Sequence, residues 1–329
     1  MRRLTLILSD LYLQPESDAA EAASPLVLPN FEWLLRVASR REFTGDWRRA
    51  FAPITAPAAV AARGLLAPDD ADRAWFATPV SLDLHIDHVR LNPRGLLRLA
   101  PGEAAVWCAA FARDFGPGHA LHDGGSRGFF LTGLAATAAP TVDPARLLGG
   151  DVAPALRRPG EPDRLELARL ATEIEFWLHA SPLNAAREAA RRPRITTLWL
   201  WGGGPPGSAS AQLPAATRVF GADPFLVGLA RASGGMAAPA PDGFDALPEA
   251  AEMIVELAPM SGPRAESLAT LDARWFAPAR AALSRGALEL DIRANDRRWC
   301  IGRGAGWRFW RPRRPWLASL AHPAAATKA

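Results

Sequence analysis

Lysine is almost missing from this chain: of 38 basic residues only Lys328 is a lysine, and the others are arginine. Tyrosine occurs once and cysteine twice. Cys108 and Cys300 lie far apart, with neither the spacing of a metal knuckle nor the density of a disulfide framework, so a reduced, cytoplasmic protein is expected. The apolar run Leu4–Leu8 is too short for a signal-peptide core, and no later stretch approaches the roughly 20 apolar residues that cross a bilayer. Histidine stands only at 85, 88, 119, 122, 179 and 322, leaving the last third almost without this metal ligand.

What remains is ordinary globular material. The 329 residues are 49% hydrophobic and 22% charged, enough to bury a large core. The net charge of +4 and a pI near 9.9 raise the question of nucleic acid. The arginines are, however, spread along the chain among 34 acids, which reads as coding bias and common surface charge, and nucleic acid is disfavoured as a partner.

Apolar periodicity predicts an alternation of strands and helices. "RLTLILSD" is a buried strand ending in Asp10, and "LPNFEWLLRVASR" (28–40) a helix with Phe31, Leu34, Leu35 and Ala38 on one face. Residues 44–74 are irregular with short helical turns. "AWFATPVSLDLHIDHVRLN" (74–92) alternates as a half-exposed strand or hairpin, "APGEAAVWCAAFARDF" (100–115) is helical, and "SRGFFLTGL" (126–134) is a strand. A long helical pattern over 163–192 breaks at Ser181–Pro182. "RITTLWLWGGGPPG" (194–207) is an apolar run cut off by glycines, as in a strand buried on both faces of a parallel sheet. Then come a helix after Asp223, strands at 250–257 and 287–296 around a helix at 264–286, and a twisted Arg/Trp ribbon at 297–316.

The passage "HASPLNAAREAARRPRITTLWLWGGG" (179–204), followed by "GADPFLVGLARASGG", resembles the archaeal-type cofactor-independent phosphoglycerate mutases of the alkaline phosphatase superfamily. With "ATPVSLDLHIDHVRL" and the helix after it, the chain looks more closely like the bacterial RpfE-type regulatory proteins. The resemblance implies an α/β fold: an alkaline-phosphatase-like, mostly parallel sheet core (1–73 and 136–329) with a small inserted α+β domain (74–135). It also implies a serine nucleophile and two metal ions held by aspartates and histidines, and here the sequence departs from the family. The place of the late histidines reads "VELAPMSGPRAES", and no serine after Asp10 has a recognisable nucleophile context.

The candidate substrate-binding residues are Asp10, Asn184, Arg187, Gly202, Gly203 and Gly204, with no catalytic residue, metal ligand or cofactor expected. Asp10 is a ligand-facing carboxylate or a loop cap. Asn184 and Arg187, three apart on a helix, share a face and offer an amide and a guanidinium to an anion, unless they merely end a helix and decorate its surface. The three glycines cradle an anion or simply turn the chain out of a buried strand. Trp199 and Trp201 read as core. "DLHIDH" (83–88) reads as a solvated strand face rather than a metal site, because alternation separates His85 from His88. "GHALHDGG" (118–125) reads as a loop. Arginines among tryptophans in the terminal ribbon suit single-stranded nucleic acid, but an edge strand blunted by charge and proline has the same composition. Three functions are therefore carried forward: a degenerate mutase-like regulator binding an anionic small molecule or a protein partner, an active metal-dependent mutase or phosphatase, and a nucleic-acid-binding regulator.

Overall fold

The computed structural model describes residues 2–9, 11, 26–42, 47–51, 56–86, 88–125, 128–134, 142–156, 163–204, 213–214, 216–257, 264–294, 297–308 and 310–320. In chain order its elements begin β1 (Arg2–Ile7), α1 (Pro29–Val37), β2 (Ser39–Glu42), α2 (Pro57–Ala62), α3 (Pro68–Ala71), β3 (Trp75–Leu84) and β4 (Val89–Leu96). Next are α4 (Glu103–Phe115), β5 (Ala120–Asp123), β6 (Phe129–Thr132), α5 (Ala153–Leu156), α6 (Asp163–Ala180), α7 (Pro182–Ala189) and β7 (Thr197–Trp201). The last third carries β8 (Thr217–Phe220), α8 (Pro224–Ala232), β9 (Ala237–Ala238), β10 (Glu252–Glu256), α9 (Arg264–Leu271), α10 (Ala277–Ser284), β11 (Leu288–Ala294), β12 (Arg297–Ile301) and α11 (Trp316–Leu320). The chain divides into two compact units. One comprises Met1–Trp47, Pro214–Ala222 and Ala237–Ala329, the other Arg48–Leu213 and Asp223–Met236.

The first unit is built on a sheet of order β2-β12-β11-β1-β10-β8-β9. The five strands β11, β1, β10, β8 and β9 are parallel, and β12 and β2 add on antiparallel. Register fixes two unlike faces. Leu4 lies opposite Met253 and Leu290, and with Leu6, Val255 and Ile292 it forms a dry face packed against Phe31, Leu34, Trp275, Phe276 and Ala279 of the overlying helices. Arg3 lies opposite Glu252 and Glu289, and Thr5 opposite Asp291, so the other face carries charge.

The helix α1 is shorter than predicted. Pro29 opens it at the first turn, where no N–H is needed. Ala38 then turns extended (ψ 153°), and 39–42 pairs with β12 instead of continuing the helix. No side chain caps α1 locally. Its free amides are taken over by Asp272, from the wide π turn (Asp272–Phe276) that joins α9 to α10. The Asp272 carboxylate accepts from Phe31 N (2.8 Å), Asn30 N (3.3 Å) and Asn30 Nδ2 (2.8 Å).

The second unit holds the antiparallel sheet. β3 pairs with β6 over its first residues and with β4 beyond a bulge, while β7 lies along it from Phe76 to Val80. This corrects the expectation for residues 194–204. The strand is buried throughout, but it is an antiparallel partner of β3 and not part of the parallel sheet. An apolar run ended by glycine marks burial on both faces, which either kind of sheet supplies. The unit that holds β7 is accordingly wider than 74–135 and takes in α6 and α7, whose break falls at Ser181 as expected. Its core gathers Trp75, Trp107, Phe111, Leu131, Ile174, Leu178 and Leu198. Within the residues read as a loop at 118–125, Ala120–Asp123 in fact form β5, paired with β6. Helices α2 and α8 approach until a Cβ on Gly228 would stand 2.0 Å from Val60 O, so only glycine fits there.

Replacing Asp272 strands the buried amide of Phe31 and the half-buried amide of Asn30 at the positive end of α1. Asp272→Ala is expected to cost about 3 kcal/mol, since hydrogen bonds to a charged acceptor are the stronger kind. Denaturation followed by circular dichroism checks this, and an unchanged midpoint would contradict the capping role.

Candidate functional site

Asp10 lies outside the described residues, but its neighbour shows what surrounds the end of β1. Ser9 Oγ donates to Glu256 Oε1 (3.1 Å) and Ala222 N to Glu256 Oε2 (2.9 Å). Glu256 is 2% exposed at the last position of β10, and Gly221, at φ +140°, makes room for it. These are the carboxyl ends of three parallel strands, the edge at which α/β sheets receive ligands. Glu256 went unnoticed in the sequence, although "MIVE" ends in an acid much as "LILSD" does.

Asn184 and Arg187 do share a helix face, as the spacing requires, and both point inward. Asn184 is fully buried; its Nδ2 donates to Leu178 O (2.8 Å) and Ile195 O (2.9 Å), and its Oδ1 accepts from Ile195 N (2.9 Å). Arg187 donates from Nε to Pro193 O (2.8 Å) and from Nη1 to Glu103. The amide and guanidinium clasp the turn between α7 and β7. Burial alone raises the Glu103 carboxyl, but the Ala100 amide and the Arg187 guanidinium outweigh it and hold Glu103 below the ordinary carboxylate range.

The glycines meet protein as well. Gly202 takes φ +71° and its carbonyl accepts from Ala58 N (2.9 Å), while a Cβ on Gly203 would stand 2.2 Å from the Trp75 ring. Gly204 is buried beside them. Trp199 and Trp201 are core, and their indoles donate to Val142 O and Thr78 Oγ1. Against Trp201 sits Arg48, 5.2 Å from its ring and paired with Asp143 (3.2 Å) and Asp223 (3.0 Å). Asp223 also caps α8 through Phe225 N (2.9 Å). No local pattern marks Arg48, whose partners are distant in sequence.

The histidines correct a second expectation. His85 N donates to His88 O across the tip of the β3–β4 hairpin, and the two rings stack at 4.5 Å, so the turn brings onto one face what simple alternation separated. His122 contacts Thr132 Oγ1 at 3.0 Å, and burial lowers its pKa. Among the described residues no three His, Cys, Asp or Glu side chains converge on a point that could hold a metal.

The charged face of the first unit's sheet borders a cavity of about 430 Å³, where Arg3, Arg293 and Arg298 stand among the carboxylates of Glu252, Glu289 and Asp291, with Thr5 and Cys300 beside them. Asp291 is gripped from two sides: Arg293 donates twice to Oδ2 (3.1 and 2.8 Å) and Arg298 once to Oδ1 (2.9 Å). Arg298 and Arg3 remain 30% and 61% exposed. Burial and the adjacent Asp291 push the Cys300 thiol up, against the opposing pull of the arginines, so it stays protonated near neutrality. Sequence reading noted Arg298 only within the ribbon and passed over Asp291, because β-alternation onto a shared face becomes meaningful only once β11 and β12 are paired.

No protein-family model and no curated protein matches the chain. Among solved structures it is similar to a cofactor-independent phosphoglycerate mutase from Thermoplasma acidophilum DSM 1728, at 14% identity and a TM-score of 0.36, over 92% of this chain and 89% of that one. It is also similar to the PH0037 protein from Pyrococcus horikoshii, at 14% identity and a TM-score of 0.43, over 92% of this chain and 87% of that one. Among the described residues no helix is long and apolar enough to cross a membrane.

Asn184→Ala takes the partner from the buried Ile195 amide and from the Ile195 carbonyl, while Leu178 O keeps the Ser181 amide, and is expected to cost about 2 kcal/mol. Because Asn184 faces no solvent, affinity for small anions should not change; calorimetry on the variant separates the two effects. A second expectation concerns pH. Burial, with Asp123 adding to it, raises Cys108 from 9.0 to about 11. The unfolded thiol therefore ionises first, so the stability tied to this group is complete below pH 9 and is lost as pH rises toward 11. Cys108→Ala should flatten that part of a denaturation-versus-pH curve.

Proposed function

We propose that the chain is a binding protein of the regulatory RpfE type, on an α/β frame related to the phosphoglycerate mutases, and that it holds an anionic small molecule without turning it over. The observation that carries this reading is the cavity on the charged sheet face. There Asp291 orients the guanidiniums of Arg293 and Arg298, and Arg298, 30% exposed, offers a phosphate or carboxylate the donors that Asp291 does not take, while Arg3 is balanced by Glu252 and Glu289. Cys300, the soft nucleophile of this cavity, is kept as a thiol, which favours binding over covalent chemistry.

The two metal ions implied by the resemblance fit the described residues poorly. At the carboxyl edge Glu256 supplies one carboxylate, steadied by Ser9 Oγ and Ala222 N, and among the described residues no His, Cys, Asp or Glu cluster completes a metal site with it. Phosphoryl transfer depends on concentrated positive charge at the transferred group, which a single carboxylate does not assemble. The sequence resemblance supports the family frame, and the cavity supports the ligand class.

Calorimetric titration with 3-phosphoglycerate, with and without Mn²⁺, tests the proposal. Saturable binding is expected without interconversion of the ester. Arg298→Ala should weaken it about tenfold, as loss of one charge-assisted contact does. Mn²⁺-dependent turnover abolished by chelation would overturn the reading in favour of an active mutase or phosphatase.

A further inference from the structure

The tail of the chain has an unusual charge distribution. From Arg297 to Ala329 there is no aspartate or glutamate, against seven arginines and one lysine. The structure sorts these arginines and the interleaved tryptophans into three groups. Arg297, Trp299 and Trp316 are buried; Arg297 Nη1 donates to Ser319 O (2.6 Å), and Trp316 Nε1 to Leu26 O (2.9 Å). Arg308 and Arg311 are fixed to the carboxyl end of α1: Arg308 Nη1 donates to Val37 O (3.0 Å) and Arg311 Nη1 to Ala38 O (2.5 Å), while Arg36 Nε returns a bond to Arg311 O (2.5 Å). Arg303, Arg313 and Arg314 are exposed, as are Trp307 (76%) and Trp310 (69%).

Protection of a sheet edge does not explain this composition. β12 is flanked on both sides, by β11 and by β2, so it is not an edge strand, and the exposed arginines and tryptophans come after it ends at Ile301. They lie in the stretches 302–308 and 310–315, an arch anchored by β12 at one end and by the buried Trp316 at the other, with the two arginine clamps between. Such anchoring presents the two indoles without the cost of ordering a loose loop. Beside the arch lies a cavity of about 380 Å³ whose lining includes Trp33, Arg303, Gly304, Gly306 and Trp307 and no acidic side chain.

We infer that this arch binds single-stranded nucleic acid. Bases stack on Trp307 and Trp310, and the phosphates between them meet Arg303, Arg313 and Arg314. Aromatic faces alternating with guanidiniums are what an unpaired strand offers partners for, since every base has a π face and every nucleotide a charge. The segment's own excess of arginine over acid favours a polyanion. Two exposed indoles within one anchored segment favour a ligand that stacks over one that supplies charge alone. This site adjoins the cavity on the charged sheet face at Ile301 and Gly302 but uses other side chains, so its test does not depend on that reading.

The test uses the full chain and oligo(dT) of about 12 nucleotides, following tryptophan quenching and the anisotropy of a labelled strand. Binding should weaken with salt with a log–log slope of about −2, from three phosphate contacts on a single strand. Trp307→Ala and Trp310→Ala should each weaken binding at least ~5-fold, the loss expected for one stacked base. The pair Arg313→Ala and Arg314→Ala should reduce the slope by about 1.4. All four side chains are exposed, so circular dichroism should show the variants folded. No binding at low salt would overturn the inference. So would binding indifferent to both tryptophan changes, or capture by phosphatidylglycerol vesicles without binding to the oligonucleotide.

Discussion

A nine-residue helix with no side-chain cap of its own organises the first unit. The amides at the start of α1 go to Asp272, about 240 residues away in sequence, and the carbonyls at its end go to Arg308 and Arg311, about 270 residues away. A carboxylate at the positive end and guanidiniums at the negative end both act in the stabilising sense of the helix dipole. The same contacts fasten the helix to the α9–α10 layer on one side and to the terminal arch on the other. Phe31 stacks on Phe276 at 4.6 Å within that junction, so packing and polar satisfaction share one locus. Neither end of α1 could be satisfied until the chain had returned from its last third, so this contact order is built into the fold.

The sheet beneath α1 pairs a dry face with a charged one, unlike the continuous apolar strands usual where both faces of a parallel sheet are covered. "RRLTLI" and "LELDIRA" alternate, and their register stacks acid beside base: Arg3 against Glu252 and Glu289, Asp291 against Arg293 and Arg298. Partly buried ion pairs add little net stability by themselves, because desolvation offsets much of the attraction. Their consequence here is fixed direction: the two guanidiniums held on Asp291 line a cavity that a hydrophobic face would have filled.

The sequence was most readable where local signals suffice. The strand at the N-terminus, the break at Ser181–Pro182 and the cap at Asp223 each depend on a few neighbouring residues, and each appears where expected. The partner of β7 was not readable, since "TLWLW" gives the same pattern beside β3 as it would inside a parallel sheet. The i, i+3 spacing of Asn184 and Arg187 was also visible, but not that their partners would be Leu178, Pro193, Ile195 and Glu103 in place of a ligand. His85 and His88 show a related limit: alternation holds within a strand and fails at the turn that ends it. Arg48 and Glu256 had no local signature, because long-range pairing alone makes them notable.

Composition had suggested coding bias as the source of the arginine excess, yet many of these arginines do work that lysine performs poorly. Arg2 holds Pro248 O, Arg90 Gly149 O, Arg187 Pro193 O, Arg194 His179 O, Arg297 Ser319 O, and Arg308 and Arg311 the end of α1. Each is a guanidinium donating to a backbone carbonyl in a loop or in the last turn of a helix. A guanidinium presents five donors in a plane and can reach a carbonyl and a second acceptor together, as Arg187 does with Glu103 and Arg308 with Ser39. An ammonium is a compact, strongly hydrated point charge that gives up more water for each such contact. In a chain with this many irregular segments, carbonyls outside regular structure are numerous, and a nearly lysine-free cation set supplies the side chain best shaped to satisfy them. Whatever its genomic origin, the bias is built into how these loops are held.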